Sequence, residues 1–114
     1  MNVSAEQIAE LKRYCATVKL LVEGGVSLFL LETLRLPQGC SPSACDALLC
    51  PVPRDGYPSR LYVSALVKCP GERNWNVTNA RIGERNWFAF SWRVEPLTPT
   101  LAGFLTAHLI GFTR

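Results

Sequence analysis

The spacing of hydrophobic positions predicts a short helix at the start of the chain. Ile8, Leu11 and Cys15 recur at helical spacing, and the residues between them are mostly polar or charged. Ser4 can cap the first turn, and Val3 can pack on Ile8 just in front of it. We therefore expect a peripheral helix that ends at about Tyr14 or Cys15 and buries one face.

Four apolar segments rich in β-forming residues follow this helix and predict an antiparallel meander. The pair Gly24-Gly25 separates the first two segments, and it is a hairpin signal because both glycines can adopt positive φ. A turn is predicted at residues 54–58, between the last two segments. The predicted strands are residues 17–22, 26–36, 44–52 and 60–67.

The strand pattern stops after residue 68. Residues 69–85 are polar and rich in Asn and Gly, so we expect a long irregular segment, a feature that is usually functional or mobile. The pentapeptide Gly-Glu-Arg-Asn-Trp occurs there twice, at residues 71–75 and 83–87. We favour a chance duplication over an arrangement in which the two copies flank a hairpin.

A second helix is predicted at the end of the chain. Thr98 followed by Pro99 is a typical helix start, with proline at the first helical position. Gly103 and Gly111 are each expected to weaken this helix by about 1 kcal/mol relative to alanine. The apolar stripe of the helix consists of Leu101, Leu105, Leu109 and Phe112. The whole pattern predicts one α+β domain over residues 1–114, with the irregular segment between the meander and the C-terminal helix.

Composition narrows the class of protein. A chain of 114 residues that is 48% hydrophobic can bury the core of one domain. The net charge of +3 is scattered and forms no basic stripe, so nucleic acid is not an expected partner. No run of about 18 apolar residues occurs and residues 1–14 lack the apolar core of a signal peptide, so we expect no membrane contact and a cytoplasmic location.

The cysteines and the single histidine limit the possible chemistry. Five cysteines in a reducing compartment are expected to be free thiols. There is no Cys-x-x-Cys pair and His108 is the only histidine, so we expect neither a zinc site nor another cofactor. A Gly-x-Ser-x-Gly motif is also missing, which makes a small hydrolase or metal enzyme the least favoured class.

Four short motifs in a characteristic order resemble a known family. The order of predicted elements together with these motifs is similar to the ubiquitin-conjugating (E2) superfamily, and more closely to its prokaryotic E2 family E. The pattern of that family continues with Trp87, Phe90-Ser91 and a terminal helix. The resemblance runs from about Val18 to the end and implies a UBC-like fold. The motifs are Leu36-Pro37-x-Gly39, Ser41-Pro42-Ser43, Asp46-x-Leu48-Leu49 and Gly56-Tyr57-Pro58.

The resemblance implies a role in a bacterial ubiquitin-like protein conjugation pathway. The expected partners are then a ubiquitin-like modifier protein and an E1-like activating enzyme. The chain departs from the family's catalytic pattern in two places. Cys69-Pro70 stands where ordinary members have His-Pro-Asn, and no cysteine lies within residues 83–88, where the acceptor cysteine is expected.

Three alternatives for the chemistry follow. Ser91 lies on the aromatic-Ser element of the family and would accept the modifier as an oxyester, with His108 as the available base. Cys69 would instead form a thioester, because a thiol needs less activation and the adjacent Lys68 favours the thiolate. The two departures favour the third alternative, a catalytically silent domain that only binds the modifier or the activating enzyme.

Aromatic and basic residues near the end of the chain are candidates for a partner surface. Trp75, Trp87 and Trp92 are expected to anchor a partner, since aromatic residues are common at interface centres. Most of this aromatic mass is also expected to hold the irregular segment against the core. Arg93 and Arg85 would stabilise an oxyanion or contact an acidic partner surface, although solvated loop arginines are the favoured interpretation.

Overall fold

Two helices and six strands make up the described part of the chain, residues 4–95 and 98–114, in the computed structural model. The α+β class predicted from the sequence is confirmed. The elements are α1 (Ala5–Leu11), β1 (Thr17–Glu23), β2 (Val26–Arg35), β3 (Ala44–Cys50), β4 (Arg60–Val63), β5 (Trp75–Ile82), β6 (Arg85–Phe90) and α2 (Leu101–Ile110), followed by a 3-10 turn at Gly111–Thr113.

Helix α1 begins at its predicted cap. The Ser4 hydroxyl accepts a hydrogen bond of 3.2 Å from the backbone N–H of Gln7. The helix ends at Leu11, and Cys15 lies beyond it with its thiol donating to the Leu11 carbonyl at 3.3 Å. The predicted contact of Val3 lies outside the described residues.

The strands form one antiparallel sheet in the order β1-β2-β3-β4-β6-β5. Strands β1 to β4 pair in chain order, but β6 joins β4 through a single register pair, Val63 with Phe88. The tip of the β5–β6 hairpin reaches the opposite edge of the sheet, where the Gly83 backbone N–H donates to Glu23 at 2.9 Å. The hairpin therefore folds over one face of strands β1 to β4, and the sheet is larger than the predicted four strands.

A hydrophobic core consequently lies on each face of strands β1 to β4, because successive side chains of a strand point to opposite faces. The helices cover the first core, and the hairpin covers the second. Fully buried members of the first core include Leu11, Leu31, Leu34, Ala47, Leu49, Leu101 and Leu105. Members of the second core are Leu28, Leu48, Cys50, Tyr62, Ile82, Trp87 and Ala89.

The prediction of an irregular segment at residues 69–85 is wrong, because these residues contain β5 and the turn into β6. Strand β5 has two register shifts, between Trp75 and Val77 and between Val77 and Ala80. Such bulges break the two-residue alternation by which a strand is read from sequence. Gly83 and Glu84 form the tight turn, with φ of 57° and 64°. The two copies of the repeated pentapeptide thus lie at the two ends of β5, and the second copy forms the turn and the start of β6.

The start of helix α2 also differs from the prediction. Thr100 is the N-cap, and its hydroxyl accepts a hydrogen bond of 3.0 Å from the Gly103 backbone N–H. Thr98 lies outside the helix, where its carbonyl accepts from the Thr100 backbone N–H at 2.8 Å. A Cβ atom at Gly103 would be 2.0 Å from the Thr98 oxygen. Glycine is therefore required at this position by the folded-back chain, and it does not simply weaken the helix.

We expect Gly103→Ala to destabilise the protein, although alanine has the higher helix propensity. The clash with the Thr98 carbonyl should outweigh the propensity gain of about 1 kcal/mol and leave a net loss of about 1–3 kcal/mol. Urea denaturation measures the change in the free energy of unfolding. The neighbouring Ala102→Gly is the control and should cost about 1 kcal/mol through propensity alone. A Gly103→Ala protein more stable than wild type would contradict this assignment.

Candidate active site

A tight turn presents Tyr57 to the surface. Arg54 and Tyr57 exchange two backbone hydrogen bonds of 2.9 Å across Asp55-Gly56. Both central residues have positive φ, 56° and 83°, as a two-residue turn of this kind requires. This confirms the turn predicted at residues 54–58.

Ser91 lies beside this turn. It follows β6, and its backbone N–H donates to the Asn74 carbonyl at 2.8 Å. Its exposed side-chain oxygen is 2.6 Å from the phenolic oxygen of Tyr57. The structure therefore brings together a surface hydroxyl and a phenol that were far apart in sequence.

Several groups favour the ionised form of the Tyr57 phenol. The hydrogen bond with Ser91 lowers the pKa of Tyr57 below its usual value, and the hydrogen bond from Asn76 and the charge of Arg60 act in the same direction. The Asn76 amide donates to the phenolic oxygen at 3.0 Å. Arg60 lies 4.2 Å and Arg93 lies 5.5 Å from the centre of the ring.

Arg60 is a buried cation directly beneath this site, with 1% of its surface exposed. Its Nη2 donates to the Asn76 side chain at 3.0 Å, and its Nε lies 3.8 Å from a carboxylate oxygen of Asp55. Its Nε and Nη1 have no hydrogen-bond acceptor in the part of the chain that the structure describes. Removing a guanidinium from water costs several kcal/mol, so its position against Tyr57 requires the surrounding contacts.

His108 lines the same small cavity as Arg60 and is also buried. Its Nε2 is 2.8 Å from the hydroxyl oxygen of Ser59. Burial, together with the charge of Arg60, lowers the pKa of His108 to about 4. A cavity of about 10 Å³, large enough for one water molecule, lies between Arg60, His108 and Trp92.

Tyr57, and not His108, is therefore the side chain that is hydrogen-bonded to Ser91. The imidazole is hydrogen-bonded to Ser59, whereas the Ser91 hydroxyl is bonded to the phenol. A neutral, buried imidazole is also poorly placed to exchange protons with solvent. The expectation that His108 activates Ser91 is replaced by a Tyr57–Ser91 pair.

Cys69, the other predicted nucleophile, has a different environment. Its sulfur lies 2.8 Å from that of Cys40, and the thiol is partly exposed. It takes part in none of the hydrogen bonds that link Tyr57, Ser91 and Asn76. The two predicted nucleophiles thus belong to separate clusters.

The predicted partner-binding residues divide into buried and accessible ones. Trp87 is 1% exposed in the second core, and its indole donates to the Ile82 carbonyl at 2.9 Å, so its ring has no surface for a partner. Trp75 and Trp92 are partly buried against the first core. Arg93 is exposed at the candidate site, where it donates to the Gly56 carbonyl at 2.9 Å.

Arg85, considered from sequence as an oxyanion or partner contact, is engaged within the fold. It forms an ion pair of 3.1 Å with Asp46 and lies 4.8 Å from the centre of the Trp87 ring. Its interactions hold the hairpin to strand β3. These structural contacts explain why Arg85 occupies this position, and no role in the candidate site is needed to explain it.

No family model, curated protein or solved structure matches the chain. Neither helix of the described residues is long and apolar enough to cross a membrane. The same residues contain no group of three or more His, Cys, Asp or Glu side chains arranged to hold a metal ion. Function must therefore be argued from the site itself.

From the sequence, Tyr57 was only a marker of the fold, and neither Asn76 nor Arg60 was a candidate site residue. Gly56-Tyr57 was a usable signal, because an Asp-Gly turn fixes the direction of the following tyrosine. Asn76 carried no comparable signal, since it fell in the segment that we expected to be irregular. Arg60 resembled an ordinary charged residue at the start of a strand.

We expect protonation of His108 to destabilise the fold in a defined pH range. The pKa of His108 is about 4 in the folded protein, below the ordinary value of 6.5, so folding favours the neutral ring. This stabilisation is complete above about pH 6.5 and is lost as the pH falls towards 4, by at most about 1.4 kcal/mol per pH unit. Urea denaturation across this range measures it.

The matched variant is His108→Gln, which keeps a hydrogen-bonding side chain beside Ser59 but cannot titrate. Acidic residues titrate equally in both proteins, so the difference between the two pH profiles isolates the histidine. The profile of the variant should be flatter between pH 4 and 6.5. Since the chain has one histidine, an NMR titration of the wild type is a direct check, and a pKa near 6.5 would contradict the assignment.

Proposed function

We propose that the chain is an E2-like component of a ubiquitin-like conjugation pathway and that Ser91 accepts the modifier as an oxyester. The observation that carries the proposal is the 2.6 Å contact between the exposed Ser91 hydroxyl and the Tyr57 phenol. The α+β fold and the motif order that resembles the prokaryotic E2 family E support the choice of pathway. The site itself supports the choice of acceptor.

The chemical step is an acyl transfer. In the ionised form of Tyr57, the phenolate oxygen takes the proton of Ser91 while the Ser91 oxygen attacks the thioester carbonyl that links the modifier to the activating enzyme. The carbon–sulfur bond then breaks, and the activating enzyme leaves as a thiolate that takes up the proton. An ester on Ser91 and a free thiol are the products.

The surroundings of Tyr57 suit it to the role of base. A hydroxyl is a weak nucleophile unless a neighbouring group removes its proton. The hydrogen bonds from Ser91 and Asn76 and the charge of Arg60 lower the pKa of Tyr57. Arg93, 5.5 Å from the same ring and exposed, lies where it can meet the negative charge that develops on the attacked carbonyl.

Acyl labelling tests the reactivity of Ser91 without the natural partners. The protein is treated with 4-nitrophenyl acetate and then with dithiothreitol, which removes acyl groups from cysteines, and intact mass spectrometry detects the remaining ester. We expect an ester on Ser91 that hydroxylamine removes. Ser91→Ala should lose it, and Tyr57→Phe should slow its formation about 100-fold, the range of general-base effects.

Ser43→Ala and Tyr14→Phe are the matched controls, and both should label like the wild type. Incubation with the activating enzyme, the modifier and ATP then tests the pathway itself. A dithiothreitol-stable, hydroxylamine-sensitive adduct that requires Ser91 supports the proposal. An adduct that Ser91→Ala retains and Cys69→Ala loses would replace the oxyester with a thioester.

A second candidate is an interaction module that forms no covalent intermediate. The exposure of two apolar side chains favours an interaction module. Leu20 and Val22 are 63% and 61% exposed on the edge strand β1. They are two residues apart and so lie on the same face of the strand. An exposed apolar edge is a surface on which another chain can pair.

The double variant Leu20→Lys/Val22→Lys tests this candidate. We expect it to weaken ATP-independent binding to the modifier or the activating enzyme by at least about tenfold, since charged residues on an edge strand oppose pairing. Binding is measured by calorimetry, with Ser91→Ala as the control that should bind normally. Unchanged binding of the lysine variant would remove the β1 edge as the docking surface.

A further inference from the structure

Two connecting segments are held together on the side of the molecule away from the hairpin tip. Ser41, which follows β2, and Lys68, which follows β4, exchange backbone hydrogen bonds of 2.7 and 2.9 Å. Gly39 packs closely on Pro70, so that a Cβ atom at Gly39 would lie 3.0 Å from the proline ring. These contacts fix the separation of the two segments independently of any side chain between them.

The antiparallel register at this bridge places Cys40 opposite Cys69. Ser41 and Lys68 form a hydrogen-bonded pair, so the adjacent position is a non-hydrogen-bonded pair, where facing side chains are closest. Backbones at such positions lie about 4.5 Å apart, within the range of about 4.4–6.8 Å that a disulfide spans. The two sulfurs are 2.8 Å apart, and both cysteines are free.

The other three cysteines have different partners. The thiol of Cys15 donates to the Leu11 carbonyl at 3.3 Å, and that of Cys50 donates to the Val52 carbonyl at 3.5 Å. Cys45 is hydrogen-bonded to Ser64. The pairing of Cys40 with Cys69 is therefore a feature of this bridge.

The two thiols differ in accessibility. Cys69 is partly exposed, whereas Cys40 is 9% exposed. Burial and the adjacent Cys69 thiol raise the pKa of Cys40 to about 12. A reagent in solution therefore meets Cys69 first, and Cys40 is the resolving thiol behind it.

We propose that Cys40 and Cys69 form a reversible dithiol–disulfide site that a small-molecule disulfide, such as oxidised glutathione, converts to the disulfide form. The Cys69 thiolate attacks one sulfur of the reagent, and one glutathione thiolate leaves. Cys40 then attacks the Cys69 sulfur and expels the second glutathione. Two protein thiols lose two electrons and two protons, and one disulfide reagent becomes two thiols.

The site is independent of the proposed acyl transfer, because Ser91 and Tyr57 take no part in it. It also accounts for Cys69 without a thioester. The sulfur that the family resemblance offered as a nucleophile faces another thiol across a paired backbone. A disulfide needs only the geometry that the bridge already supplies.

The test treats the full-length reduced protein with excess oxidised glutathione and then traps free thiols with N-ethylmaleimide. Intact mass spectrometry should find three of the five cysteines alkylated, no bound glutathione and a protein two hydrogens lighter. Dithiothreitol should restore all five alkylations. Tryptic digestion of the wild type should link residues 36–54 to residues 69–73, with fragment ions that place the link at Cys40.

Variants distinguish this pair from any other. Cys40→Ser should leave glutathione attached to Cys69, and Cys69→Ser should form no internal disulfide. Cys45→Ser is the matched control, since it removes a neighbouring thiol and should oxidise like the wild type. Five alkylated cysteines after oxidation, stable glutathione on wild-type Cys69, or a link to Cys45 or Cys50 would each overturn the proposal.

Discussion

The guanidinium of Arg60 is buried where the Tyr57 turn, strand β5 and helix α2 meet. Such a cation is costly to remove from water, and one exposed carboxylate at 3.8 Å offsets only part of that cost. The remaining stabilisation comes from the Tyr57 ring above it and the Asn76 amide beside it. The neutral state of His108 follows from its burial and, to a smaller extent, from this charge. Site and core therefore share one electrostatic centre.

The β5–β6 hairpin makes this arrangement possible. By folding over strands β1 to β4, it buries Trp87 and Ile82 in a second core and brings Asn76 to the Tyr57 phenol. Ser91 follows the last residue of β6 and lies within hydrogen-bond distance of the same phenol. The residues that assemble the candidate site are thus held by a tertiary contact between two layers, and no single element contains them.

The first half of the fold was predictable because its signals are local. Ser4 caps α1 through its own side chain, and the Asp55-Gly56 turn depends on two residues that tolerate positive φ. Prediction failed at β5, where two bulges hide the alternation of Trp75, Val77 and Ala80. It failed again at α2, because the choice of Thr100 over Thr98 as cap depends on how the preceding chain folds back onto Gly103.

The sequence by itself determined the α+β class, the approximate positions of the first four strands, the Tyr57 turn and the candidacy of Ser91 and Cys69, although β4 ends at Val63 and not at residue 67 as predicted. The fold features follow from periodicity and turn chemistry, whereas the candidacy of Ser91 and Cys69 is what the family resemblance implied, together with the reactivity of hydroxyl and thiol groups. Only the tertiary structure decided the partners of those groups. Ser91 meets Tyr57, Cys69 meets Cys40, and His108 turns inward to Ser59. The physical reason is that each pair joins residues separated by 29 to 49 positions, so its geometry depends on the packing of distant layers and not on local sequence.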